Sequence, residues 1–87
     1  MTEASIRAQE NAFIMATASP ISDPVKWNDG GTYGTVTPTR EGHTNDGRVC
    51  REFQQQITID GKRTQAFGTA CQQSDGSWQI VDQGNAQ

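Results

Sequence analysis

The side chains of this sequence that could perform chemistry are few and widely spaced. The single histidine, His43, has no second histidine or nearby cysteine with which to form a typical zinc site. A catalytic triad would need that histidine beside a nucleophile, and neither Ser74 nor Ser77 lies in a Gly-x-Ser-x-Gly elbow. A solvated loop histidine therefore explains the pattern better than a catalytic one. We predict no enzyme activity and no cofactor.

The carboxylates form no recognisable active site either. The run Asn45-Asp46-Gly47 is similar to a calcium-binding turn, but the ligand spacing of an EF-hand loop is absent. Glu52 paired with a distant acid could act in general acid–base catalysis, but any two of the ten acidic residues allow the same proposal. We therefore predict no metal site and no carboxylate pair in catalysis.

The two cysteines, Cys50 and Cys71, fall at positions that one turn brings together. Ile59-Asp60-Gly61-Lys62 has the Asp-Gly centre of a two-residue type I′ turn. If Ile59 faces Lys62, the register places Cys50 opposite Cys71 at a non-hydrogen-bonded position, where Cα atoms are about 4.5 Å apart. A disulfide accepts that separation near its short limit. We predict a structural disulfide, because the redox-active Cys-x-x-Cys spacing is absent; two buried free thiols are the alternative.

The remaining segments predict an α+β domain, with an N-terminal helix packed on an antiparallel meander of about five strands. The helix runs from Glu3 to about Thr17 and either covers one sheet face or acts as a spacer or oligomer contact. A polar loop at residues 40–47 separates the second strand from the third. The predicted strands are residues 25–27, 33–39, 50–58, 63–71 and 77–81. The predicted organisation is an N-terminal helix at 1–19, a sheet of the same domain at 20–82 and a flexible tail at 83–87.

The hairpin register sorts the side chains between two faces of the sheet. The core face carries Phe53, Ile57, Ile59, Ala66, Gly68 and Ala70, with Arg51 and Gln55 among them. Further predicted core members are Trp27, Val36, Trp78 and Ile80, with Tyr33, Thr35 and Thr37 facing away from Val36. The other face has long amides around an exposed aromatic ring, which can bind glycans or peptide backbone; a solvated face without a ligand is the alternative. Its candidate interaction residues are Gln54, Gln56, Gln65, Phe67 and Thr69.

Composition limits the partners and the location. The net charge is −3 and no run of Lys or Arg occurs, so nucleic-acid binding is not expected. No apolar run approaches the roughly 20 residues that span a bilayer, and the first residues lack the features of a signal peptide. The chain is either a cytosolic protein with free thiols or an envelope domain given without its export segment. The predicted disulfide favours the envelope, since disulfides persist in oxidising compartments.

Residues 24–81 resemble the carboxy-terminal domain of the rickettsial-type 17 kDa surface antigen family. The pieces that carry the resemblance are Pro-Val-Lys-Trp-Asn at 24–28, Gly-Thr-Val-Thr-Pro at 34–38, Cys-Arg-Glu-Phe-Gln at 50–54, Ile-Asp-Gly-Lys at 59–62, Gly-Thr-Ala-Cys at 68–71 and Asp-Gly-Ser-Trp-Gln-Ile-Val at 75–81. The resemblance implies an envelope location, an oxidised Cys50–Cys71 pair, and a binding or scaffolding role without catalytic residues. Members of the family are typically exported and lipid-modified, and many carry a glycine-zipper membrane segment. The sequence shows none of these segments, so we expect membrane association only through an anchor that it lacks.

We therefore expect a non-enzymatic domain of the periplasm, outer membrane or cell surface. The expected partner is an envelope protein, peptidoglycan or another glycan. The alternative is an inhibitor that blocks a periplasmic or host hydrolase with an exposed loop such as residues 40–47. The sequence predicts neither the ligand nor the oligomeric state.

Overall fold

A computed structural model describes residues 2–85, with side chains through Asp82, as one helix packed on a five-stranded antiparallel sheet. The elements are helix α1 (Glu3–Ala16) and strands β1 (Val25–Asp29), β2 (Thr32–His43), β3 (Val49–Ile59), β4 (Lys62–Gln72) and β5 (Trp78–Asn85). Each strand pairs antiparallel with the next one in the chain, so the sheet is a meander. The predicted fold class is confirmed.

Helix α1 begins and ends at residues with clear capping roles. The Thr2 hydroxyl accepts a hydrogen bond from the backbone N–H of Ser5 at 3.1 Å, which satisfies one of the free donors of the first turn. The Ser5 hydroxyl in turn donates to Oδ2 of Asp29 at 2.7 Å and ties the helix to the end of β1. At the other end, after the last helical residue Ala16, the hydroxyls of Thr17 and Ser19 donate to the carbonyls of Ile14 at 2.6 Å and Met15 at 2.8 Å.

The β3–β4 hairpin has the predicted turn and register. Asp60 and Gly61 have φ angles of 50° and 79°, and a type I′ turn requires positive φ at both positions. Pairing continues outward without a shift from the turn to Cys50 opposite Cys71. These two cysteines form a disulfide with a Cα–Cα distance of 4.0 Å. The sequence-based pairing and the predicted bridge are both confirmed.

Strand β2 is longer than predicted. The prediction of a loop at residues 40–47 is wrong for residues 40–43, which belong to β2. A bulge between Pro38 and Arg40 shifts the register, and the strand then continues to pair with β3 as far as His43. The chain reverses only in the short segment that follows, where the Thr44 N–H donates to the Arg48 carbonyl at 2.8 Å. The predicted exposed loop is therefore a tight turn at the end of a hairpin.

Strand β5 is also longer than predicted. It extends to Asn85, after a bulge in its pairing with β4 between Thr69 and Ala70. Residues 83–85, which the sequence analysis assigned to a tail, therefore pair with β4. Residues 86 and 87 of that predicted tail lie outside the described residues.

The core lies between α1 and the middle strands of the sheet. Phe53 of β3 is 1% exposed, and its ring centroid is 4.7 Å from that of Phe13 on the helix. Small residues on the inner side of α1 permit a close approach of helix and sheet. The buried cluster consists of Ala12, Ala16, Trp27, Val36, Phe53 and Ala70.

Two predicted core residues of β5 have different environments. Trp78 is partly buried and packs against the core cluster. Ile80 is 51% exposed, so its predicted burial is wrong. The helix packs on β1 and β2 and reaches β3 through Phe13 and Phe53, and it leaves the β5 end of the core face partly uncovered. An open groove of about 400 Å³ remains there between α1 and β5.

Arg51 on the core face joins the sheet to the helix. Its guanidinium Nη1 donates to the carbonyl oxygens of Ala16 at 3.0 Å and Ser19 at 2.6 Å, while Nε donates to the Glu41 carboxylate at 2.7 Å. The last carbonyls of a helix lack intrahelical partners and form the negative end of its dipole. Arg51, whose side chain is only 12% exposed, therefore acts as a cap supplied to α1 by a strand.

Candidate functional site

The sheet face opposite the helix, here called the open face, collects the predicted interaction residues. The alternation of side chains along paired strands sets its membership. Its central members are Lys26, Tyr33, Thr35, Thr37, Gln54, Gln56, Thr58, Arg63, Gln65, Phe67 and Thr69. Val36 and Phe53, which pack beneath α1, point to the other side. The open face is therefore presented outward along most of the sheet.

All five predicted interaction residues lie on this face. Gln54 pairs with Phe67 across the β3–β4 hairpin, and Gln56 pairs with Gln65 in the neighbouring position. Phe67 is 46% exposed although β4 is an interior strand of the sheet. Thr69 and the three glutamines are partly buried. The structure thus places an exposed aromatic ring beside a group of amide and hydroxyl side chains.

Strands β1 and β2 add residues that the sequence analysis did not include in the site. Tyr33, 50% exposed, lies in one row with Thr58 and Arg63. Lys26 and Thr35 continue the row of the paired glutamines. The alternation around Val36 already placed Tyr33 and Thr35 on the outward side of their strand. The register of β2 against β3, which the sequence does not specify, places these residues beside the predicted site.

An open groove of about 420 Å³ crosses this part of the open face. Strands β1 to β4 all contribute to it. Side chains in its lining include Lys26, Tyr33, Thr35, Gln56, Thr58 and Arg63. The groove therefore combines an aromatic ring, two cationic groups and several hydrogen-bonding groups.

Charge is distributed unevenly along the open face. No carboxylate of the described residues lies within 4.0 Å of the charged groups of Lys26 or Arg63. At the other end, Glu52 and Asp82 line a separate concavity beside Phe67. Nε of Arg40 lies 3.4 Å from the Glu52 carboxylate at that end. The open face therefore has a basic end at the groove and an acidic end beyond Phe67.

Gly34 lies on β2, between the groove on the open face and Trp27 in the core. A Cβ atom at this position would overlap the carbonyl oxygen of Gln56 and would lie 3.1 Å from the Trp27 indole. The Trp27 Nε1 is buried and, within the described part of the chain, has no hydrogen-bond partner. The backbone of β2 can approach the indole this closely only because residue 34 has no side chain.

The residues considered for catalysis or metal binding have ordinary roles. His43 is exposed at the end of β2. The Thr44 hydroxyl donates to the Asp46 carboxylate and, together with Arg48, lowers the pKa of Asp46. Hydrogen bonds from the Ser77 hydroxyl and N–H lower the pKa of Asp75 in the β4–β5 turn. Across residues 2–85, no three His, Cys, Asp or Glu side chains are grouped closely enough to hold a metal ion.

The helix that the structure describes, α1, has 14 residues and is neither long nor apolar enough to cross a membrane.

Comparison with known proteins gives one consistent result. Residues 16–79 match the model of a family described as "17 kDa outer membrane surface antigen". Over 67 residues the chain is 46% identical to a 17 kDa surface antigen of Rickettsia bellii, with 75% of this chain and 42% of the relative covered. The corresponding protein of Rickettsia conorii is 42% identical over 66 residues, which is 74% of this chain and 42% of that relative. The protein of Rickettsia prowazekii is 37% identical over 67 residues, with 75% of this chain and 42% of that relative covered. These alignments thus span less than half the length of the relatives, and no solved structure matches.

Proposed function

This chain belongs to the 17 kDa outer membrane surface antigen family, and we propose that it is a non-enzymatic surface domain of the cell envelope that binds a cell-wall glycan strand on its open face. The family and its named relatives support the surface location. The Cys50–Cys71 disulfide is consistent with it, because disulfides persist in oxidising compartments. The binding role rests on the open face.

The observation that carries the binding role is the pair of half-exposed aromatic rings on the open face. Tyr33 and Phe67 lie on β2 and β4, with the amides of Gln54 and Gln56 on the strand between them. Aromatic rings provide flat apolar surfaces for stacking, and amides donate and accept hydrogen bonds at once. A sugar ring needs both, since it has apolar C–H faces and a rim of hydroxyl groups.

The chemistry of the open face favours a glycan over a protein partner. The centre of a protein–protein interface is mostly apolar, whereas the side chains between Tyr33 and Phe67 are amides and hydroxyls. The face also differs from a fully solvated sheet surface, because Phe67 exposes nearly half of its area on an interior strand. A glycan strand lying along the sheet would cover both rings.

The inhibitor function has weaker structural support. The exposed loop suggested for it was residues 40–47, and the first half of that segment is the end of β2. The rest is a turn in which the Gly47 N–H donates to the Thr44 carbonyl at 3.0 Å.

Cosedimentation with insoluble peptidoglycan tests the proposal. We expect the wild-type protein to bind, and Phe67→Ala to bind several-fold to about tenfold more weakly, because loss of a stacking contact costs about 1 kcal/mol. Ile80→Ala is the matched control, since it removes a similarly exposed apolar side chain from the core face and should leave binding unchanged. Failure of the wild-type protein to cosediment, or equal weakening by both substitutions, would contradict glycan binding on the open face.

A further inference from the structure

We infer that the basic end of the open face selects a glycan carrying carboxylate groups, with Lys26 and Arg63 as its recognition residues. This inference rests on the proposed function and names the ligand chemistry of the same face. It is carried by the position of these two cations in the groove, by the absence of acidic partners around them and by the aromatic ring between them.

Most of the basic side chains in this protein already have an acidic partner. The sequence contains seven Lys and Arg residues. Four arginines form ion pairs: Arg7 with Glu3, Arg40 with Glu52, Arg48 with Asp46, and Arg51 with Glu41. The other three basic residues are Lys26, Lys62 and Arg63, which have no such pair within the described part of the chain. Two of these three line the same groove.

These two cations come from strands that are distant in sequence. Lys26 lies on β1 and Arg63 on β4, with β2 and β3 between them. At about 4.8 Å per strand, their backbones are about 14 Å apart across the sheet. The fold therefore places one cation on each side of the groove. A ligand that lies over β2 and β3 has Lys26 on one side and Arg63 on the other.

No acidic residue lines this groove, although the chain as a whole has a net charge of −3. The one acidic residue of β1, Asp29, accepts hydrogen bonds from Ser5 at 2.7 Å and Thr2 at 3.1 Å, both from the start of α1. The groove is thus locally positive on a negatively charged protein. The local positive potential favours an anionic ligand in the groove, whereas the net negative charge disfavours anions elsewhere on the protein.

The neighbouring side chains match a sugar that carries a carboxylate. The guanidinium of an arginine presents N–H groups in a planar fork that fits a carboxylate, whereas lysine acts as a point charge. Tyr33 lies in the same row as Arg63 and offers a ring on which the sugar can stack. Gln56, in the row of Lys26, can bond to the hydroxyl and amide groups of the sugar.

Binding of two soluble glycans of equal sugar number tests the inference. The probes are chitotetraose, which is uncharged, and a peptidoglycan tetrasaccharide without stem peptides, in which each lactyl group carries a free carboxylate. For the wild-type protein at low salt, calorimetry should give about tenfold or greater preference for the acidic probe, corresponding to at least about 1.4 kcal/mol. This preference should shrink as salt is added, because the groove is open to solvent.

The double substitution Lys26→Gln with Arg63→Gln should abolish the preference, because it lowers the affinity for the acidic probe at least about tenfold more than the affinity for chitotetraose. Its control is Lys62→Gln with Arg7→Gln, which removes the same number and types of charge outside the groove and should keep the preference. Equal wild-type affinity for both probes, or equal loss of preference in both double variants, would overturn the inference. In that case, the proposed function would still be supported if the wild-type protein binds chitotetraose and Phe67→Ala weakens that binding. If the wild-type protein binds neither probe, both proposals fail.

Discussion

Gly34 is a residue at which the fold leaves no room for a side chain. Its backbone lies against the Trp27 indole on one side and the Gln56 carbonyl on the neighbouring strand. Trp27 fills the core beneath β2, and Gln56 lines the groove of the open face. The position of this glycine therefore affects the packing of the core and the shape of the candidate site together.

Gly34→Ala should lower the free energy of unfolding by about 2–3 kcal/mol, because the added methyl group forces the β2–β3 pairing or the Trp27 ring to move. Gly42→Ala on the same strand is the control, since an added Cβ there meets nothing within 4 Å. Urea denaturation of the two variants measures the difference. Equal midpoints for both variants would show that β2 tolerates a side chain at residue 34.

Single residues of the candidate site could be predicted from sequence only where the pairing was local. Gln54 and Phe67 were assigned to one face because the Asp-Gly turn set the register of their own hairpin. Lys26 and Tyr33 were not assigned to the site, since that requires the register of β2 against β3, which the polar segment at residues 40–47 does not specify. The sequence also carries no direct sign that Arg51 caps the helix, because its partners Ala16 and Ser19 are more than 30 positions away.

At the scale of elements, Arg51 is what fixes the end of α1 to the sheet. The guanidinium bonds to two carbonyls at the helix terminus and to one carboxylate on β2, so three elements meet at one side chain. The contact is mostly shielded from water, which strengthens hydrogen bonds to a charged group. The helix has no basic residue of its own in its last turn.

Arg51→Gln should destabilise the protein by about 2 kcal/mol, the usual range for loss of hydrogen bonds to a charged group. Hydrogen exchange of the amides at the end of α1 should become faster in the same variant. The control is Arg40→Gln, which breaks an exposed ion pair with Glu52 and should change stability by less than about 0.5 kcal/mol. Unchanged exchange at the end of α1 would show that Arg51 does not cap the helix.

The elements that were predicted wrongly from the sequence are those whose structure depends on contacts with other strands or with the helix. Residues 40–43 are polar and include a glycine, which is typical of a loop, but β3 extends to Val49 and offers them backbone partners. A bulge beside Pro38 accommodates the residue that cannot donate to the ladder. The environment of Ile80 was misjudged for a similar reason, since its burial depends on where α1 lies and no sequence pattern specifies that position.

At the scale of the whole molecule, the domain has a thin core and one covalent crosslink. Only 32% of the sequence is hydrophobic, and the buried cluster lies on one side of the sheet. The disulfide joins β3 and β4 from the open face, close to the end of the hairpin away from its turn. It therefore restrains this end of the hairpin from the sheet face opposite the helix.

Replacing Cys50 and Cys71 together by Ala should lower the free energy of unfolding by about 3 kcal/mol, because the bridge closes a loop between residues 21 positions apart in the chain. Thermal and urea denaturation under oxidising conditions measure the change. Treatment of the wild-type protein with a reductant should lower its stability by a similar amount. Identical midpoints for the oxidised protein and the double variant would show that the crosslink contributes nothing to stability.

Because each strand pairs with its neighbour in the chain, the sheet can form by successive local steps. The β3–β4 hairpin can close from Asp60-Gly61 outward, and β2 and β5 can then add to its two sides. Topologies rich in local contacts fold faster than those that need distant segments to meet first. This topology avoids a step in which distant segments must meet before any pairing forms, and such a step exposes a chain to aggregation.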